Sequence, residues 1–539
     1  MGMSIFDRNR IVAIALVLFL GIPVVGLPAS SSAGVSEEDD AIIQKIRTEG
    51  WDNSQVMEIL HQFTDVYGPR LTGSPNLVKA QKWAVKQMEE WGMVNGALEG
   101  FEWGNVGWVN EYFTGHILSP VSDHLVGEVL AWTPSTAGTV RAQVYMLEIP
   151  EDPTEDTLNS YLESVAEDIE GKIVFNGEYA YVPVDFSERA KRRSDEDARN
   201  QYDPDREAPQ RPRREQPERD PGVLTAREVA PIVSQFLVEH GAAVSVQDAA
   251  RAHGQVRAFS NRTYDVEQAV PTVILRNEDY GRISRLVTHG HDVEVEFTIV
   301  NRIFPEGRTV YNAVAEIPGT DLADEVIIIG GHLDSWHAST GATDNGTGTS
   351  TMMEAARILM AIGAQPRRTI RVALWTGEEQ GLLGSAAYVA EHYGSFEDPK
   401  PDYANFAAYF NIDSGTGKVR GASVFGPPEA ADILREILVP FEDLGVMGAR
   451  SSESRRRGGS DHTSFNNAGL PGVGLGQDPI EYFTHTWHTN LDAYERVIED
   501  DLKSSAIIVA ALVYELAMRD EMLPRFSAED MPELPQQNQ

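Results

Sequence analysis

The chain has no cysteine. Disulfides, thiolate nucleophiles, cysteine lipid anchors and cysteine-type zinc knuckles are all excluded, and any metal must be held by histidine and carboxylate. Basic residues are scarce beside acidic ones. There are 45 Lys and Arg against 82 Asp and Glu, a net charge of −37. Phosphate backbones need basic surface, so nucleic acid is not an expected partner. Two hydrolase signatures are missing as well. No His is followed by Glu, which excludes the His-Glu-x-x-His proteases, and there is no Gly-x-Ser-x-Gly elbow to support a serine hydrolase. Beyond the N-terminus there is no long apolar run.

What is present is a chain of 539 residues, 42% hydrophobic, enough for two or three domains at roughly 150 residues each. Arg8 and Arg10 precede an apolar run over 11–27, followed by Ser31-Ser32-Ala33. Basic start, apolar middle and small-residue end are the parts of a secretory signal, here 1–33. The run contains Gly21, Pro23 and Gly26 and is short for a spanning helix, which needs about 20 residues. The expectation is a cleaved signal, a secreted or periplasmic mature chain, and no stable membrane insertion after cleavage.

Residues 38–112 read as mainly helical. Ser74-Pro75 is a helix start, with Leu77, Ala80, Ala84, Met88 and Trp91 at helical spacing and Gly92 as a stop. From 113 to 304 the pattern turns to short β-rich segments with one helix-like stretch at 229–240. Within it, 187–222 is charged, Pro-rich and nearly devoid of apolar residues, which predicts a solvated, flexible insertion. From 305 to 523 strand and helix alternate. Residues 326–330, 370–376 and 407–412 are apolar runs, and 346–362 and 382–392 are helical. A capping box at Asp492–Glu495 is expected to open the last helix, and 524–539 is expected to be disordered. The fold class is α/β: a mostly parallel, helix-covered sheet with an inserted β-rich module.

In such sheets ligands collect beyond the carboxyl ends of the strands. His332 lies two residues past one apolar run. Glu378 and Glu379 follow another, Asp413 ends a third, and Asp344 precedes the Gly346–Gly348 turn. His488 sits in WHTNLD. A single histidine after a strand is as well explained by a satisfied polar residue. Five such residues at equivalent places are the set a divalent-metal hydrolase needs, with Glu378 free to act as base. Imidazole and carboxylate suit zinc. Asp334 can accept the second N–H of His332 or cap a turn. Gly330 and Gly331 would let the backbone pass close to metal.

The segments GGHLDSW, GATDNGTG, LWTGEEQGLLGS, NIDSG, GGSDHTSFNNAGLPGVGL and HTNLD resemble those of the M28 family of co-catalytic zinc exopeptidases. The twelve-residue step from His332 to Asp344 and YGPRLTGSPNLVKA at 67–80 most resemble its carboxypeptidase Q branch. The resemblance covers 38–112 and 305–523, and 113–304 more weakly resembles the protease-associated (PA) domain inserted in that branch. It implies two zinc ions per chain. Asp344 would bridge them, with His332 and Asp413 on one and Glu379 and His488 on the other. Glu378 would be the base and then the acid. It also implies a peptide substrate, allows a homodimer, and places Asp461 and His462 along the site. Dipeptidase or carboxypeptidase action follows the nearest branch, and aminopeptidase action the wider family. Single-zinc glutaminyl cyclases and zinc-free receptors share the fold, but the full ligand set argues against both. The chain departs from some family aminopeptidases, which carry Tyr before Ser-Asp-His where Gly458-Gly459 stand here; Tyr482 is the substitute candidate. Arg455-Arg456-Arg457 are read as a solvated loop or as neutralisers of a substrate carboxylate.

Overall fold

The computed structural model describes residues 37–187, 191–206, 220, 222–456 and 458–535. Residues 1–33, where a signal was expected, and the last four residues lie outside them. Among the described residues no helix is long and apolar enough to cross a membrane.

Two eight-stranded sheets organise the chain. The first runs, edge to edge, Val94–Glu102, Thr309–Ile317, Arg368–Trp375, Leu322–His332, Phe406–Asn411, Gly472–Gln477, Val419–Phe425 and Ala449–Ser452. Its four central strands are parallel, and antiparallel pairs flank them on both sides. Every residue of Phe406–Asn411 is buried, as befits a strand covered on both faces. The helix Thr347–Ala361 packs against this sheet and against the helix Glu499–Met518, which also touches the sheet. Gly330 is required by the sheet itself: a Cβ there would collide with the Ala373 carbonyl of the neighbouring strand, and no argument from metal approach is needed.

The helix Pro75–Glu90 forms as its sequence dictates. The Ser74 side chain accepts from the Leu77 N–H, and Leu77, Ala80, Ala84 and Met88 are buried. Residues 38–112 are helical only as far as this helix. Val94–Glu102 is an edge strand of the first sheet, and Gly107–Ser119 already pairs with Glu294–Phe304 in the second, so the crossover falls before Gly107 rather than at 113.

The second sheet runs Asp123–His124, Gly107–Ser119, Glu294–Phe304, Val140–Leu147, Ile173–Asn176, Val244–Asp248, Thr272–Leu275 and Gly127–Val129. The steps from Val140–Leu147 to Thr272–Leu275 are parallel, and parallel steps need crossovers. The helices Glu155–Val165 and Ala226–Glu239, opened by capping boxes at Thr154 and Thr225, supply the first two, the stretch 249–271 supplies the third, and Asn277–Thr288 follows the last parallel strand. The module is therefore α/β, where one helix had been expected.

Three further expectations give way. Part of 187–222 is docked: Asp195–Tyr202 is a helix, Tyr202 is buried against Gly421 and Gly476 of the first sheet, and Arg192 pairs with Asp501 at 2.6 Å. A few apolar and charged anchors suffice here, where composition averaged over 36 residues hid them. The last helix starts at Glu499, because the Asp492 carboxylate is engaged elsewhere. The start of the tail packs where disorder was expected: Arg525 donates to the Tyr403 carbonyl at 2.9 Å, and Phe526 lies edge-on to Phe425.

Candidate metal centre

The carboxyl ends of the parallel strands bring the candidate ligands to one rim. His332 is the last residue of its strand, level with Trp375 across the ladder. Two residues beyond Trp375, Gly377 turns the chain at φ 75° and presents Glu378 and Glu379. Asp413 follows Phe406–Asn411 by two residues. Asn345 ties the Asp344 turn to that loop, its Nδ2 donating to the Ile412 carbonyl at 2.8 Å. His488 arrives from the loop after Gly472–Gln477 with φ 59°, a left-handed conformation uncommon for a side chain of this size.

The five side chains converge. His332 Nε2 lies 3.2 Å from Asp413 Oδ1, 3.4 Å from Asp344 Oδ1 and 3.9 Å from Glu378 Oε2. His488 Nε2 lies 2.9 Å from Glu379 Oε2 and 3.2 Å from Asp344 Oδ2. Asp344 thus offers one oxygen to each imidazole. His332, Asp344 and Glu379, and again His332, Glu378 and Asp413, each gather ligand atoms within 4.8 Å of one another.

Asp334 acts differently from the expectation. The Nδ1 of His332 faces the Asp334 backbone carbonyl at 2.9 Å, with the carboxylate at 3.8 Å. The carboxylate instead accepts from the backbone N–H of Glu378 and of Glu379, each at 3.3 Å, and from Thr72 Oγ1 at 3.1 Å. It fixes where the two glutamates start.

Two residues to which the sequence reading gave no part in the site hold the same loops. Arg70 is fully buried, and its guanidinium donates to the carbonyls of Leu333, Phe63, Thr340, Gly341 and Gly68 at 2.7–3.3 Å. It pins both ends of the 333–341 loop between His332 and Asp344. Asp492 accepts from the N–H of Thr343 at 2.6 Å and of Asp344 at 3.2 Å. An arginine inside YGPRLTG and an aspartate four residues after His488 were the available signals.

The electrostatics are those of a crowded, buried anion cluster. Burial pushes the Glu378 carboxyl up, His332 pulls it back, and Asp413, Asp461 and Glu379 leave it well above the usual range. Glu379 is pushed to about 7 by burial and Asp344. Burial would lower the imidazoles, yet Asp413 and Glu378 hold His332 well up, and Glu379 and Asp344 raise His488 to about 10. Burial also opposes the ionised Asp344, which His488 and His332 nonetheless keep below the carboxylate range. Asp461 and Asp492 are each raised to about 7, chiefly by burial.

This donor set fits cations. Glu379 Oε1 is buried without a hydrogen-bond partner, and Asp344 Oδ2 is buried beside the His488 imidazole. Ligands 2.0–2.1 Å from one tetrahedral ion stand about 3.3 Å from each other. The 2.9–3.4 Å separations around His332 and His488 match that edge length. His462 is held neutral near 4 by burial and lines the rim without joining the cluster. Arg455 is neither solvated nor aimed at the site: it is buried, donates to Glu397 at 2.8 Å and to the Asn467 carbonyl at 2.7 Å, while Arg457 lies outside the described residues. Tyr482 is buried against Gly415, and burial, then Asp344 and Asp413, keeps its phenol protonated.

Fold and site define the class first: an α/β protein with a buried imidazole–carboxylate cluster, fit to hold metal, at the carboxyl rim of its sheet. Residues 312–513 match the model of Peptidase family M28, and the chain carries an M28 peptidase domain. Carboxypeptidase Q of Mus musculus is 29% identical over 307 residues, 57% of this chain and 61% of the mouse protein. Carboxypeptidase Q of Rattus norvegicus is 30% identical over 256 residues, 48% of this chain and 52% of the rat protein. The matched region spans about half to three-fifths of these relatives. A Peptidase M28 precursor from Shewanella amazonensis superposes with TM-score 0.62 at 22% identity, covering 91% of this chain and 99% of that one. BSAP, a zinc aminopeptidase from Bacillus subtilis, superposes with TM-score 0.52 at 19% identity over 89% and 97% of the two chains. Both share the fold.

Proposed function

We propose that the chain is an exported, co-catalytic dizinc exopeptidase acting on dipeptides or short peptides. The observation that carries this is Asp344, one oxygen toward His332 and the other toward His488. Asp344 would be shared, His332 and Asp413 would complete one site, and Glu379 and His488 the other. Zinc there would supply Lewis acidity toward a peptide carbonyl and toward water. Glu378 is the base. It stands beside His332 with its starting point fixed by Asp334, and burial keeps its basicity high enough to take a proton and pass it to the leaving amine. Tyr482 is our candidate donor to the developing oxyanion. The second-sheet module is read as a PA-like insert, and the secreted or periplasmic location follows from the N-terminal signal pattern. The carboxypeptidase Q relatives favour dipeptidase or carboxypeptidase over aminopeptidase action.

The test combines elemental analysis with digestion of a peptide library carrying free and blocked termini. Two zinc per chain and release of terminal residues are expected. Metal-free protein that turns over no peptide after zinc loading overturns the reading.

A further inference from the structure

The loop 249–261 leaves the second sheet after Val244–Asp248 and lies along the His488 loop. The two are laced together. Asn490 N–H donates to the Val256 carbonyl at 3.0 Å, and Val256 N–H donates to Asn490 Oδ1 at 2.8 Å. The lacing sets the Arg257 guanidinium over the Trp487 ring, 4.6 Å from its centroid, and Nη2 donates to the Trp487 carbonyl at 3.1 Å. Trp487 lies on His488, ring centroids 4.2 Å apart. Phe259 closes the other side, 5.4 Å from His488 and 5.0 Å from Trp336.

Arg257 has no carboxylate within ion-pair distance among the described residues, in a chain with 82 acids against 45 bases. Its Nε is buried without a partner. Arg251, whose Nε donates to Gln255 at 3.2 Å, stands near enough to repel it. Burial and that repulsion lower Arg257, Asp344 raises it from beyond ion-pair distance, and at about 10 it stays charged at neutral pH. Two neighbouring guanidiniums with no carboxylate in ion-pair contact form a place for an anion. One indole ring separates Arg257 from His488, a path of at most about 9 Å that leaves room for one extended residue of about 3.5 Å and a contact at each end.

We propose that Arg257, with Arg251 behind it, receives the free α-carboxylate of the peptide, so that the site reads the carboxyl end one residue beyond the scissile bond. Phe259 and Trp336 then flank that terminal side chain. This rests on the peptidase reading above and names the end that it recognises.

The experiment compares a dipeptide with its C-terminal amide, as kcat/KM in the zinc-loaded protein and as binding to zinc-loaded Glu378→Gln. The expected result is a preference for the acid of about tenfold or more, as for a charge-assisted pair. Arg257→Gln should bring that preference toward one while zinc content stays unchanged. Arg257→Lys keeps the charge and part of the cover over Trp487, so it reports even where Gln does not fold, with a reduced preference. An acid preference that survives both substitutions, or a wild-type protein indifferent to amidation, overturns the assignment. If zinc binds and no peptide is cleaved, the peptidase reading falls, while the binding comparison still decides Arg257.

Discussion

Asp492 grips the backbone of Asp344: its carboxylate accepts from the Asp344 N–H at 3.2 Å and from the preceding Thr343 N–H at 2.6 Å. The residue that two metal ions would share is thus positioned from behind by a second buried acid. Outer partners of this kind typically alter metal affinity 10- to 100-fold, so about that loss is expected for Asp492→Ala. A chelator competition against wild type measures it, and Asp492→Asn, which keeps one acceptor, should fall between.

Glu378 and Asp344 should separate chemistry from binding. Glu378→Gln is expected to keep its zinc and lose at least about a hundredfold in kcat, the scale of a lost general base. Asp344→Ala is expected to lose both ions. Elemental analysis with steady-state kinetics on the same preparations gives both answers.

Arg70 is a structural prediction. Removing its guanidinium leaves five carbonyls, most of them buried, without a donor, and each such loss costs about 1–3 kcal/mol where water cannot replace it. Arg70→Met should lower stability by about 3 kcal/mol or more, seen as a drop in unfolding midpoint, with weaker zinc binding even where the protein folds.

Tyr202 tests the docked strap. Arg192, Arg193 and Arg199 are potential trypsin sites within a segment held by Tyr202 and by the Arg192–Asp501 pair. Tyr202→Ala should speed cleavage at these positions well ahead of global unfolding. Limited proteolysis read by mass spectrometry settles it, and equal rates in the two proteins would show that the helix is not anchored there.

His337 gives a pH dependence away from the metal centre. Its Nε2 donates to the Val129 carbonyl at 2.6 Å, its Nδ1 is sealed from solvent, and burial lowers it from 6.5 to about 4. The unfolded chain takes the proton first, so stability falls as pH drops below about 6.5 and levels off near 4, a loss of about 2–3 kcal/mol. Denaturant midpoints across that window should slope less in His337→Gln.

Much of the centre was legible because apolar runs ending in His, Glu or Asp mark the carboxyl rim of a parallel sheet. His332, Glu379 and Asp413 could be placed that way. Asp492 was misread, since Asp-x-x-Glu looks like a helix cap and only tertiary contact shows the carboxylate turned toward Asp344. Arg70 and Arg257 carry no periodic signal; what they do depends on carbonyls and rings hundreds of positions away. Tyr202 was lost in a polar stretch because one buried ring outweighs many solvated charges. Asp334 was assigned by its carboxylate, where the His332 contact is made by its carbonyl.

The lacing of Val256 to Asn490 makes the wall beside His488 a joint product of both sheets. At this point the second-sheet module and the site loop are one mechanical unit, so a change in how the module folds is felt two residues from His488.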